Sequence, residues 1–279
     1  MSAAPVRLQL GHSPDADDAL MFYALAAGKV DSEGIAFEHI LKDIQTLNEW
    51  ALDGRLEVSA VSVMAAVRIG DRYEVMACGA SVGDNYGPIV VANEPLTPEQ
   101  LDGERVAHPG QFTTAYLLAR LFLPRAELVP VDFDAVFEAV KSGAARAGVV
   151  IHEGQLTYAD AGLHQVMDFG VEWKRTTGLP LPLGVNVIRR DVPTDIRARA
   201  ERALRRSIEY AIEHLDEALD HALGYARGLD RARAKQFVQM YVNAYTLDLG
   251  GDGRAAVRLL HERARELGLL PAAPGVVPV

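Results

Sequence analysis

The chain is 279 residues long, room for one large domain or two ordinary ones, with 49% hydrophobic and 24% charged residues. Those are the proportions of a soluble globular protein, and they exclude extended disorder, collagen-like repetition and a coiled coil. The formal net charge is -10, from 28 Lys and Arg against 38 Asp and Glu, so the chain repels polyphosphate and nucleic acid is not an expected partner.

Cys78 is the only cysteine, which removes any intramolecular disulfide and any cysteine-built zinc site. The N-terminal segment carries neither a basic region nor an apolar run ahead of its acidic cluster, which is not the pattern of a secretory signal. Asp, Arg, Gly or Pro interrupts every apolar run short of bilayer-spanning length. The expectation is a cytoplasmic enzyme or binding protein without membrane insertion.

In chain order, VRLQLG (6–11) reads as a strand, followed by an acidic turn and a helix from about Asp18 to Ala27 that Gly28 stops. Strand 35–41 precedes a short helix ending at Gly54, strand 56–63 leads into MAAVRIG, and 73–80 and 87–93 read as the fourth and fifth strands. EPLTPEQLDGE (94–104) reads as a crossover into a second lobe. There, strand 105–110, helix 113–123, strand 127–133, helix 134–145 and strand 147–151 repeat a smaller α/β pattern.

Segment 164–184 reads as the return crossover and 185–191 as a strand back in the first lobe. From Pro193 the pattern is helical: 194–228 as one helix or two segments, then helices near 230–246 and 252–267, then a Pro-rich tail. Thr194 and Asp230 are expected N-caps, and Gly228 and Gly268 expected stops. The predicted organisation is 1–93 with 185–279 as one α/β lobe and 94–184 as the other. Two crossovers and a helical C-terminus make this a clam-shaped solute-binding architecture with its cleft between the lobes.

Ligands of open α/β sheets bind at the carboxyl ends of strands, and three junctions there carry usable chemistry. Ser62 in AVSVMAA either holds a polar ligand group with its neighbouring amides or caps a helix. At HPGQFTTAYLL (108–118), Gly110 permits a tight turn. Thr113 and Thr114 then open a helix whose free amides, dipole and two hydroxyls suit a carboxylate or phosphate; a plain Thr cap explains only one of the two threonines. The strand AGVVI ends in His152, either a general base near neutral pH or a partly buried structural histidine.

The turn His12-Ser13-Pro14-Asp15-Ala16-Asp17-Asp18 gathers one histidine and three carboxylates, but its spacing matches no EF-hand and no second histidine stands at helical spacing. Asp17 or Asp18 capping the first helix explains it better, with Asp15 facing the cleft, and no metal site is expected. Cys78 sits in an apolar strand and reads as a buried small residue.

The segments FYALAAGKV, TLNEWALDGRL, GPIVVAN, FTTAYLL, VIHEGQLTY, TGLPLPLG and YVNAYTLDLG give the chain, over nearly its whole length, a resemblance to the 1,4-dihydroxy-6-naphthoate synthases. These are solute-binding-protein-like enzymes of the futalosine route to menaquinone. The resemblance implies a two-lobed periplasmic-binding-protein-like type II fold, no metal or organic cofactor, and conversion of cyclic dehypoxanthine futalosine, a small-molecule carboxylate, to 1,4-dihydroxy-6-naphthoate. By position, the family's histidine base falls on His152 and its substrate-contacting segments on Ala60, Val61 and Ser62 and on Thr113 and Thr114.

Many members have Ser-Pro-Cys-Pro-Asn-Asp after the first strand, where this chain reads Ser13-Pro14-Asp15-Ala16-Asp17-Asp18. The alternatives are chorismate dehydratase, a sister enzyme of the same pathway and fold, and a non-catalytic solute-binding protein for a carboxylate.

Overall fold

The computed structural model describes residues 4–225 and 229–270. Its strands, in chain order, are β1 (Val6–His12), β2 (Ile35–Leu41), β3 (Val58–Ser62), β4 (Tyr73–Val75), β5 (Ser81–Gly83), β6 (Ile89–Ala92), β7 (Arg105–His108), β8 (Glu127–Pro130), β9 (Ala147–Val150), β10 (His164–Asp168) and β11 (Leu181–Arg189). They form two sheets. The first runs β2-β1-β3-β11-β4, with β5 also paired to β11; the second runs β10-β6-β9-β7-β8.

β3, β6 and β9 are continuous apolar or small-residue runs buried along their whole length, as strands covered on both faces must be. Helix Ala16–Ala26 buries Met21 and Phe22 with Leu8 and Leu10 of β1 and Ile196, Ala200, Leu204 and Ile208 of helix Thr194–Glu213. Ser207 fastens the two helices, donating from Oγ to the Met21 carbonyl at 2.7 Å and accepting the Leu25 N–H at 3.2 Å. One core cluster joins both sheets, with Val61, Val82 and Val187 from the first, Val90, Val106 and Val149 from the second, and Phe169 and Trp173 between them. No helix among the described residues is long and apolar enough to cross a membrane.

Several expectations need correction. Segment 87–93 is a strand, but β6 pairs with β9 and β10 in the second sheet, so the chain leaves the first sheet before Ile89 and not after residue 93. An apolar strand fits the centre of either sheet, and local pattern cannot tell which. The return segment holds β10 and helix Phe169–Thr177, and its last residues, from Leu181, already belong to β11.

Segment 73–80 is not one strand. β4 ends at Val75 and β5 starts at Ser81, because Gly79 turns the chain at φ +85°. There a Cβ would lie 2.1 Å from Asn186 Nδ2, so only glycine fits. Asp230 caps its helix, accepting the Arg233 N–H, whereas Thr194 is the first helical residue after Pro193. Gly268, at φ +69°, follows the last helix. The expected stop at Gly228 and the Pro-rich tail lie outside the described residues.

The two connections between the sheets meet backbone to backbone. A Cβ on Gly170 would lie 2.0 Å from the Tyr86 carbonyl carbon and oxygen, which no side-chain motion relieves. Gly170→Ala should therefore cost about 3 kcal/mol, the upper end for overpacking, and lower Tm by roughly 6–12 °C. Gly251, helical with nothing within 4 Å of its Cβ position, is the control: Gly251→Ala should gain about 0.5 kcal/mol. Thermal melts of both variants check this, and equal melting temperatures would contradict the close approach.

Candidate active site

A cavity with roughly 740 Å³ of empty space, continuous with solvent, lies where the two sheets face each other. Ala60, Val61 and Ser62 line it from the end of β3, beside Gly184 and Val185 of β11. The pairing of β11 with β3 sets this wall, Gly184 opposite Ser62 and Val185 opposite Val61. Thr113, Thr114 and Ala115 line it from the start of helix Thr114–Phe122 on the second sheet.

Ser62 stands at the N-cap position of the short helix Val63–Ala66 but makes no capping bond with its side chain. Instead, buried Asn48 accepts the Ser62 N–H at 2.8 Å and donates to Ser62 Oγ at 3.1 Å. A hydroxyl has one hydrogen, and with Oγ accepting from Asn48 that hydrogen is left to be donated elsewhere. Asn48 lies on the apolar stripe Ile44, Leu47, Ala51 of its helix. A polar residue on such a stripe was the signal sequence reading passed over.

The threonines are used differently from expectation. Thr113 caps its helix, accepting the Tyr116 N–H at 3.1 Å, and donates to the Gly110 carbonyl at 2.7 Å. Thr114 Oγ1 donates to the Leu183 carbonyl at 2.8 Å and accepts the Met64 N–H at 3.3 Å. Both hydroxyl hydrogens are thus engaged by backbone carbonyls. What this wall offers an anion is the main-chain N–H groups of the first helical positions, Thr114 and Ala115, which helix geometry leaves without intrahelical partners.

His152 is half-buried just past the cavity-lining Ile151. Its Nδ1 accepts the Gly154 N–H at 2.9 Å, and its ring lies 5.2 Å from that of Phe133, which lines the cavity. With Nδ1 accepting, the neutral ring carries its proton on Nε2.

The fourth wall is acidic. Asp15, Asp17 and Asp18 all line the cavity, and the helix begins at Ala16, so neither Asp17 nor Asp18 is its cap. Asp18 accepts the Ser13 N–H at 2.6 Å, and Asp15 accepts from Ser13 Oγ at 3.0 Å. Glu153, next to His152, reaches over from the second sheet to accept the Ala16 N–H at 3.1 Å. Burial pushes the Asp18 carboxyl up to about 6. It raises that of Asp17 well above the ordinary range, with the charges of Asp18, Asp15 and Glu153 adding to it.

Among the described residues, no group of three or more His, Cys, Asp or Glu side chains is placed to hold a metal ion. Phe237 and Tyr241 close the cavity from helix Arg231–Tyr241, the Tyr241 hydroxyl donating to Gln155 Oε1 at 2.7 Å. Nothing local marks those two aromatics as site residues. Cys78 is buried and its thiol is pushed up to about 12 by that burial, which leaves it inert.

Two facing α/β sheets with a cleft between them define the periplasmic-binding-protein-like class of folds. The alkanesulfonate-binding protein SsuA of Xanthomonas axonopodis pv. citri shares this fold at TM-score 0.73 and 12% identity, over 97% of this chain and 96% of its own. A crystal structure of a protein from Archaeoglobus fulgidus matches at TM-score 0.91 and 46% identity, over 95% of this chain and 98% of that one.

The model of a family described as menaquinone biosynthesis matches residues 8–266, and the chain belongs to that family. Two relatives are named 1,4-dihydroxy-6-naphthoate synthase. The one from Thermus thermophilus is 42% identical over 267 residues, 96% of this chain and 97% of the relative. The one from Streptomyces coelicolor is 37% identical over 271 residues, 95% of each.

The acidic wall makes stability pH-dependent in a stated direction. The folded-state pKa of Asp17 is raised, so the folded state keeps a proton that the unfolded chain releases above its ordinary value near 4. This contribution to stability is full below that value and lost as pH rises toward the folded-state pKa. Asp17→Asn has no such proton to lose. Its melting temperature relative to the parent chain should therefore rise steadily from pH 4 to pH 8, and a difference independent of pH would show Asp17 ionised throughout.

Proposed function

We propose that the chain is a carbon–carbon lyase converting cyclic dehypoxanthine futalosine to 1,4-dihydroxy-6-naphthoate in menaquinone biosynthesis, and that it acts in the cytoplasm. The observation that carries this is the synthase name shared by two near-full-length relatives, at 42% and 37% identity. The cavity supports it, because all five residues proposed as substrate contacts line it: Ala60, Val61, Ser62, Thr113 and Thr114. No observation favours the dehydratase or the transport-associated binding protein over this reading.

In the proposed arrangement the substrate carboxylate docks on the Thr114 and Ala115 amides, and the Ser62 hydroxyl donates to a substrate oxygen. The acidic wall tolerates an anion opposite it to the extent that Asp17 and Asp18 hold protons, which their raised pKa values favour. His152 is the proposed base, removing a proton from the sugar-derived part. Its basic atom in the neutral ring is Nδ1, now bonded to the Gly154 amide, so taking a proton there requires that amide to let go. Removing a hydroxyl proton leaves an oxygen electron pair that forms a carbonyl as the adjoining carbon–carbon bond breaks. The bonding pair passes into the ring system, the carbonyl fragment departs, and the new aromatic ring supplies driving force. Positioning a base and excluding water is then most of what the protein must do.

Incubating the purified protein with cyclic dehypoxanthine futalosine and following the naphthoate by mass spectrometry tests the reading; no product from folded protein would overturn it. His152→Asn should lower kcat by about 10²–10⁴ with KM little changed, the usual loss for a general base. Near-parental turnover would make His152 structural.

A further inference from the structure

We propose that Asn48 is a positioning residue, one that aims the Ser62 hydroxyl and, through the same side-chain amide, ties that hydroxyl to the opposite side of the cleft. This rests on the functional reading above, in which Ser62 donates to the substrate. Asn48 has no solvent exposure and three hydrogen bonds. Its Oδ1 accepts the Ser62 N–H, and its Nδ2 donates both to Ser62 Oγ at 3.1 Å and to the Phe112 carbonyl at 3.2 Å. The orientation of the amide is fixed by these partners, since a backbone N–H can only donate and a carbonyl only accept.

The tie to Phe112 is two-sided. Gln45, three residues earlier on the same helix, accepts the Phe112 N–H at 3.0 Å, so both backbone polar groups of Phe112 are held by one helix face. Gly110 lets the turn pass this close. Its φ is +142°, and a Cβ there would lie 2.2 Å from Gln45 Oε1. The turn so held runs into Thr113, which caps the helix whose first residues line the cavity. A single buried amide therefore links the donor on β3 to the anion-facing wall on the second sheet. If the cleft opened, Asn48 would lose Phe112 while keeping both of its bonds to Ser62.

Substituting a carboxylate separates this role from mere packing. Asn48→Asp keeps the size and the acceptor for the Ser62 N–H but has no donor. The Ser62 hydroxyl should then turn to donate to the new carboxylate, away from the substrate, and the Phe112 carbonyl should be repelled. The expected loss in kcat/KM is about tenfold or more, the scale of one productive hydrogen bond.

The test is a double-mutant cycle of Asn48→Asp with Ser62→Ala, read in kcat and KM on cyclic dehypoxanthine futalosine. If Asn48 acts through Ser62, the double variant should lose no more than the worse single one. Losses that multiply, or parental kcat/KM in Asn48→Asp, would overturn the inference. Asn48→Ser, polar and uncharged, runs the same cycle if the carboxylate variant does not fold. Hydrogen exchange without substrate keeps the inference testable should the functional reading fail. The Phe112 amide should exchange at least tenfold faster in Gln45→Ala and in Asn48→Asp while β3 and β9 amides stay unchanged, and unchanged Phe112 exchange would overturn the tie.

Discussion

The site depends on one strand pairing. β11 returns from the second sheet and lies antiparallel between β3 and β4, with β5 also on its edge. Val187 and Ile188 are buried in that position, and burying a side chain of this size contributes about 1.5–3 kcal/mol. The pairing fixes the Ala60–Ser62 wall by register, and Asn186 holds the turn before β5 by donating to the Gly79 carbonyl at 2.9 Å. At its start β11 carries Pro182, which has no N–H for a ladder. The register against β5 shifts between Pro182 and Gly184, and the Leu183 carbonyl in that gap accepts from Thr114. An irregularity imposed by a proline thus becomes the fastening for the opposite wall.

That strand also shows what could and could not be read from the chain alone. Its apolar run, the turn glycines and the alternation of strand-length and helix-length patterns are local features, and most of the elements they imply are present, although the strand expected over 73–80 ends at Val75. Sheet membership is not local. IVVA at 89–92 satisfies the burial of either sheet, and its place beside β9 and β10 is decided by where the chain crosses, near Gly87 and Gly170. A break such as the one at Gly79 depends on Asn186, 107 residues away, and no window of neighbouring residues contains that contact.

The same division holds for the site. Strand ends pointed to Ser62, Thr113, Thr114 and His152, and the first three line the cavity while His152 stands behind its rim against Phe133. Which atoms remain available was hidden. A pair of threonines at a helix start suggests two hydroxyl donors, yet Gly110 and Leu183 carbonyls take both hydrogens. Asn48 was hidden for the opposite reason, because its three partners come from β3 and from a turn on the other sheet. Polar residues at such distances are matched by topology and not by spacing along the chain.

The charge distribution of the cavity follows from the same convergence. Asp15, Asp17 and Asp18 belong to the first helix and its cap, but Glu153 comes from the second sheet and meets them at the Ala16 N–H. Asp17, in the first turn of that helix, is favoured in its neutral form, because burial and then the charges of Asp18, Asp15 and Glu153 raise its pKa well above the ordinary range. The raised pKa values of Asp17 and Asp18 favour protons on two of the three carboxyl groups that line the cavity. The wall can then present hydrogen-bond donors to a ligand across from the Thr114 and Ala115 amides, although its residue types read as uniformly acidic. Glu153 comes from the far side, so its share in raising Asp17 depends on the two sheets facing each other across the cleft.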